Sequence, residues 1–106
     1  MELKMESGKF DYLMKRLGVG FVRPVHSWET RWGRAWVYKD RLGTFVVFAL
    51  DVSSVPITQA VQEAIRECYA IGKPIDLDGE LRVEDGKAYL TLIVEVAEVP
   101  FRGVKR

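Results

Sequence analysis

The sequence predicts an all-β fold with accessory helices: a five-stranded, partly open barrel of order β-β-β-α-β-β, preceded by a short N-terminal helix. Three observations lead there. Two runs rich in aromatic and β-branched residues, 30–39 and 44–52, flank an Asp40-Arg41-Leu42-Gly43 turn. Residues 75–83 and 88–99 alternate apolar with polar around Glu84-Asp85-Gly86-Lys87, and Asp-Gly is the strongest short hairpin signal. Between these two pairs of strands, residues 57–71 repeat their apolar positions with helical period.

In chain order, Glu6 to Leu17 suits a short amphipathic helix with Phe10, Leu13, Met14 and Leu17 on one stripe, ended by Gly18 and Gly20. Gly18 to Val25 reads as a first short strand closed near Pro24. If the strands about Thr30–Lys39 and Thr44–Val52 pair around their turn, Lys39 faces Thr44, Tyr38 faces Phe45, Val37 faces Val46 and Trp36 faces Val47. One face of that ribbon is Ala35, Val37, Val46, Phe48, Leu50 and Val52, which is wholly apolar. Ser53, Ser54 and Pro56 punctuate the chain before the helix, whose stripe is Ile57, Val61, Ala64, Ile65, Cys68 and Ile71. Gly72 and Pro74 stop it. Cys68 on that stripe reads as a small core side chain. In the last hairpin Ile75, Leu77, Gly79, Leu81 and Val83 point inward with Leu90, Leu92, Val94 and Val96. Asp76, Asp78 and Glu80 then form an acidic outer wall, with Asp76 opposite Glu95. That wall reads as a solvated face, and its functional alternative is a site for a hard cation or a basic partner.

The stretch Trp28 to Tyr38 organises the functional reading. It holds all three tryptophans, four residues apart, with Arg31 and Arg34 between them. As a strand it places Trp28, Trp32, Arg34, Trp36 and Tyr38 on one face, which Phe45, Val47 and Ala49 extend across the hairpin. An aromatic face that contains an arginine has two explanations. It is a second buried layer, or a platform on which nucleobases stack while guanidinium groups meet phosphates. A buried, unpaired guanidinium is costly, which weighs against the first. A bulge at Gly33 would move Trp28 and Trp32 to the other face.

Composition sets bounds. A chain of 106 residues forms one domain, divided here into a helical extension (1–17), the barrel (18–99) and a basic tail (100–106). A single cysteine excludes an internal disulfide framework and any cysteine-based zinc site. No run is long enough to span a bilayer and no signal-peptide core is present, so a cytoplasmic protein without a membrane partner is expected. Asparagine is absent and glutamine occurs only at Gln59 and Gln62, a depletion seen in thermophile proteins. The net charge of +1 conceals +4 in residues 1–41 (nine cations, five anions), −6 in residues 42–101 (four, ten), and +3 from Arg102, Lys105 and Arg106. The aromatic stretch thus sits in the basic part of the chain.

No catalytic arrangement is expected, nor a cofactor. His26 stands alone beside Pro24 and Ser27, Gly18-Val19-Gly20 lacks the rest of a phosphate-binding motif, and the acidic wall has no His or Cys ligands.

Residues 43–99 resemble an OB-fold of the replication protein A type. The stretch Gly72-Lys-Pro-Ile-Asp-Leu-Asp-Gly-Glu-Leu-Arg-Val-Glu-Asp-Gly-Lys-Ala-Tyr-Leu-Thr-Leu-Ile-Val-Glu-Val-Ala-Glu-Val99 is similar to that family's last two strands: a Gly-centred strand, a Leu-Arg pair, a Gly-Lys turn and an alternating strand. The resemblance implies single-stranded DNA binding across the second and third strands, in replication or DNA repair, and points to Trp32, Arg34, Trp36, Tyr38, Phe45 and Val47. Two departures stand out: the hairpin loops are short, and no helix follows Val99 to carry trimerisation.

The expected function is therefore non-catalytic, sequence-tolerant binding of single-stranded DNA ahead of RNA. Its residues are Trp28, Arg31, Trp32, Arg34, Trp36, Tyr38, Arg41, Phe45, Val47, Arg102, Lys105 and Arg106. The alternative is an OB-fold interaction subunit of a replication or transcription complex that turns the same face to another protein. A homodimer is expected, through the Phe10–Leu17 stripe.

Overall fold

Two tight hairpins fix most of the architecture. The computed structural model describes residues 23–97. Within them the order is β1 (His26–Thr30), β2 (Gly33–Asp40), β3 (Gly43–Asp51), α1 (Ile57–Cys68), β4 (Lys73–Glu84) and β5 (Lys87–Ala97). The β2–β3 register is the expected one, from Lys39 opposite Thr44 to Trp36 opposite Val47. In the β4–β5 hairpin Asp85 and Gly86 take the positive φ values, 51° and 77°, that a two-residue turn between twisted strands requires.

The strands form one antiparallel sheet in the order β1-β2-β3-β5-β4, with α1 carrying the chain from β3 across to β4. The fold is thus mostly antiparallel β with a helix on one face. Among the described residues the sheet is not closed into the expected barrel: five-residue β1 and twelve-residue β4 are its two edges, and no ladder joins them. An open five-strand sheet is stable once a helix covers a face.

The core lies between sheet and helix. Ala35 and Val37 of β2, Val46, Phe48 and Leu50 of β3, and Leu90, Leu92, Val94 and Val96 of β5 meet Ala60, Ala64 and Cys68 of α1. Those three small side chains let the helix approach closely. The buried stripe keeps Ala64 and Cys68 of the expected one and adds Ala60, with Val61 and Ile71 packed against it; Ile57 is exposed, and the helix ends at Cys68 rather than Ile71.

Three further expectations are corrected. Of the strand expected over 18–25, residues 23–25 lie outside any strand and 18–22 lie outside the described residues; the first strand described is His26–Thr30. The stretch 28–38 is not one strand but two, split by a turn at Arg31-Trp32. Thr30 pairs with Gly33 across that turn, and the Trp32 carbonyl accepts from the Asp51 N–H (2.9 Å). Finally, Leu77, Leu81 and Val83 face the helix side but are exposed. Twelve helical residues reach about 18 Å, whereas twelve strand residues reach about 40 Å, so β4 runs far past its cover. A register shift at Pro74/Asp76 leaves Ile75 exposed too. The Phe10–Leu17 stripe lies outside the described residues.

Candidate nucleic-acid interface

The Arg31-Trp32 turn decides which aromatic residues share a face. Trp28 pairs directly with Ala35 and therefore points to the helix side. There its ring meets Phe48 edge-on, with centroids 6.3 Å apart, and its Nε1–H donates to Glu67 Oε1 of α1 at 2.7 Å. His26, at the start of β1, lies 5.7 Å from the same ring. Trp32 also packs against the main core, and the Arg31 guanidinium sits 4.9 Å over its ring while bonding Glu63 Oε2 at 3.2 Å. The two-strand reading thus has the outcome foreseen for a bulge at Gly33, reached through a turn. Trp28, Arg31 and Trp32 belong to the seam between β1 and α1, on the opposite side of the sheet from Arg34 and Trp36.

The outer face keeps a shorter row. Arg34, Trp36 and Tyr38 alternate along β2, and two-residue spacing sets them about 7 Å apart. Arg34 is exposed; its Nη2 donates to Ser27 Oγ at 3.2 Å and its Nη1 lies 3.8 Å from Glu29 Oε2. Trp36 is half-buried, and its indole N–H has no partner among the described residues. Tyr38 is half-buried, and burial raises its phenol above the ordinary range. Arg41 is exposed in the turn beyond, where its backbone N–H donates to Asp40 Oδ1 at 2.8 Å. Along β2 and into the turn after it, the order is therefore cation, ring, ring, cation.

Phe45 and Val47, expected on the platform, are instead floor. Phe45 is 0 % exposed and Val47 7 %, in a second small cluster with Ile93 against which Tyr38 packs. The central strands β3 and β5 are buried on both faces at this point: the floor along β3 is buried, and the rings along β2 are half-buried. Glu95 is buried as well, with its Oε2 close over Gly43, so it is not part of a solvated acidic wall. Arg102, Lys105 and Arg106 lie outside the described residues.

Sequence reading missed Glu63 and Glu67, the helix carboxylates that hold Arg31 and Trp28. Their spacing of four along α1 was visible, but without knowing which sheet face the helix covers it named no partner. Cys68, as expected, is core: burial, and then the Glu67 carboxylate, push its thiol up to about 12, which leaves it unreactive at neutral pH. Among the described residues no group of three or more His, Cys, Asp or Glu is placed to hold a metal ion, and no helix is long and apolar enough to cross a membrane. Compared with known proteins, the chain matches no family model, no curated protein and no solved structure.

Proposed function

We propose that the protein binds single-stranded nucleic acid, DNA ahead of RNA and without strong sequence preference, on the outer face of β2. The observation that carries this is the linear row Arg34–Trp36–Tyr38–Arg41, with two half-exposed rings flanked by exposed guanidinium groups. Ring faces stack on any unstacked base, and the flanking cations meet the backbone on either side. The reading rests on this row and not on a closed OB barrel. Trp28, Arg31 and Trp32 have structural partners on the other side of the sheet and take no part in it.

Charge sets the character of the binding. Arg34 stands near Glu29, and Arg41 adjoins Asp40, so the row is close to neutral. Stacking, not counterion release, then supplies most of the affinity. With at most two phosphate contacts, log K falls with log salt at a slope no steeper than about −1.4 for a single strand.

The test is anisotropy of labelled oligo(dT) against a hairpin duplex of equal charge. Single strand is expected to bind more tightly. Trp36→Ala is expected to weaken it by about 1–3 kcal/mol, roughly 5- to 150-fold, with the salt slope unchanged. Arg34→Ala is expected to flatten the slope by about 0.7. Duplex binding as tight as single strand, or full affinity in a folded Trp36→Ala protein, overturns the proposal. The near neutrality of the row favours one other reading, docking of a protein on the same rings. A folded chain with no affinity for any oligonucleotide selects it.

A further inference from the structure

The β4 edge has a hydrogen-bonding direction that its neighbours reveal. Val83 lies opposite Ala88. The backbone of Ala88 turns away from β4: its N–H donates to Ser53 Oγ and its carbonyl accepts from the Val52 N–H, both at 2.9 Å. Antiparallel pairs alternate between bonded and non-bonded. The backbone groups of Val83, and with the same alternation Leu81, Gly79 and Leu77, therefore point out of the sheet. Three of these four also present exposed apolar side chains, Leu77 at 38 %, Leu81 at 46 % and Val83 at 67 %. A free ladder edge and an apolar row thus coincide on the same residues, the arrangement that accepts an added strand.

Charge selects what can be added. Asp76 Oδ1 accepts from the Leu77 N–H at 2.9 Å and Asp78 Oδ1 from the Gly79 N–H at 2.8 Å, so two of the outward donors are held by the strand's own carboxylates. The outer face of β4 carries Asp76, Asp78, Glu80 and Glu84 against Arg82 and, at the start of the strand, Lys73; Arg82 is within 3.5 Å of Glu84. A second copy gains no net charge complementarity. With Gly79 opposite Leu81 in a two-fold pair, Asp78 meets Arg82 twice, but Asp76 meets Glu84 twice and Glu80 meets Glu80; with Gly79 opposite Gly79, Asp76 meets Arg82 twice and Asp78 meets Glu80 twice. Like charges directly across a ladder destabilise it.

We propose that the β4 edge receives, as a sixth strand, an extended segment of a partner protein in which apolar residues alternate with Lys or Arg. Its apolar side chains cover Leu77, Leu81 and Val83. Its cations lie over Asp76, Asp78 and Glu80 and draw the two aspartates off the Leu77 and Gly79 N–H groups, which then join the ladder. The aspartates act as a latch that a basic strand opens and an acidic strand does not. This surface is separate from the Arg34–Trp36 row and independent of it.

The probe is a labelled, end-blocked Lys-Val-Arg-Val-Lys-Val-Arg peptide, compared with Glu-Val-Glu-Val-Glu-Val-Glu and with a scrambled peptide holding its three valines together. Saturable binding is expected for the alternating basic peptide, about tenfold or more tighter than for either control. Hydrogen-exchange protection is expected at the amides of Leu77, Gly79, Leu81 and Val83. Leu81→Pro removes an outward donor without breaking the β4–β5 ladder, and should abolish binding. Asp76→Asn/Asp78→Asn keeps side-chain acceptors and removes the charge. It should weaken the basic peptide about tenfold and erase its advantage over an alternating Ser-Val peptide, a readout that stands even where Leu81→Pro melts. Equal binding of the scrambled peptide, or protection away from β4, overturns the proposal. Concentration-dependent dimers that protect the same four amides overturn it in favour of a second copy.

Discussion

Truncating Trp28 to Ala separates a structural tryptophan from a binding one. The side chain contributes an edge-to-face contact with Phe48 (centroids 6.3 Å apart) and a 2.7 Å bond to Glu67, and so ties the edge strand β1 to α1. Aromatic-to-Ala changes in cores cost about 3–5 kcal/mol, and a half-buried ring belongs at the low end, about 3 kcal/mol. At about 4–8 °C per kcal/mol for a domain of this size, the midpoint falls by roughly 12–24 °C. Trp28→Phe keeps a ring on Phe48 and gives up the bond to a carboxylate, costing about 1.5–3 kcal/mol. Thermal and urea melts of Trp28→Ala, Trp28→Phe, Glu67→Gln and the Trp28→Phe/Glu67→Gln pair measure the coupling directly. The folded fraction of Trp28→Ala should bind oligo(dT) like the parent. A melt within 3 °C of the parent, or a selective loss of oligonucleotide affinity, would refute the assignment of Trp28 to the β1–α1 seam.

Other outcomes follow from single contacts. At Gly33 an added Cβ would sit 1.9 Å from the Ala49 carbonyl oxygen; a backbone group cannot rotate away, so Gly33→Ala should cost about 3 kcal/mol or more in chemical denaturation. The Cys68 thiol stays protonated up to about 12 in the folded chain, whereas the unfolded thiol ionises near pH 8.5. The unfolded chain then binds fewer protons, so stability should fall above about pH 9 by up to about 1.4 kcal/mol per unit, a component that Cys68→Ala lacks. Parallel curves for the two proteins would count against it. The Asp51 carboxyl is lowered by bonds from the Ser53 hydroxyl (2.6 Å) and N–H (3.0 Å). A depressed folded value gives stability that is present at neutral pH and lost as pH falls through it, below the ordinary value of about 3.9. Ser53→Ala should shrink that acid limb in pH-dependent melts.

The hairpins were legible because their signals are local. Asp85-Gly86 names its own turn, and the alternation of 44–50 and 90–96 places Val46, Phe48, Leu92 and Val94 inward without reference to anything distant. The Arg31-Trp32 turn was not legible because neither of its two central residues is a usual turn former. The Thr30 hydroxyl supports it locally by accepting from the Trp32 N–H (3.4 Å), and tertiary contacts hold it further: Arg31 to Glu63 on the helix, and the Trp32 carbonyl to Asp51. Reading through it put Trp28 and Trp32 beside Arg34, when the chain doubles back and parts them. Alternation also assigned Leu77, Leu81 and Val83 to the correct side of β4 but not to the interior. Side is a property of the strand, whereas burial depends on how far α1 reaches. The floor at Phe45 and Val47 needed knowledge of both faces of β3, which a pattern of period two does not contain.

The pairing of β3 with β5 joins residues 44–51 to 89–96, and α1, β4 and the turn after it lie between them in the chain. Among the described residues every other ladder links strands adjacent in sequence. They make two locally wound pieces closed by one long-range join, and the loop-closure entropy of that join sets the pace of their folding. Ser53 and Ala88 stand at one end of it, 35 residues apart and hydrogen-bonded. Weakening that end should slow the closing step and leave both hairpins free to form at their own speed.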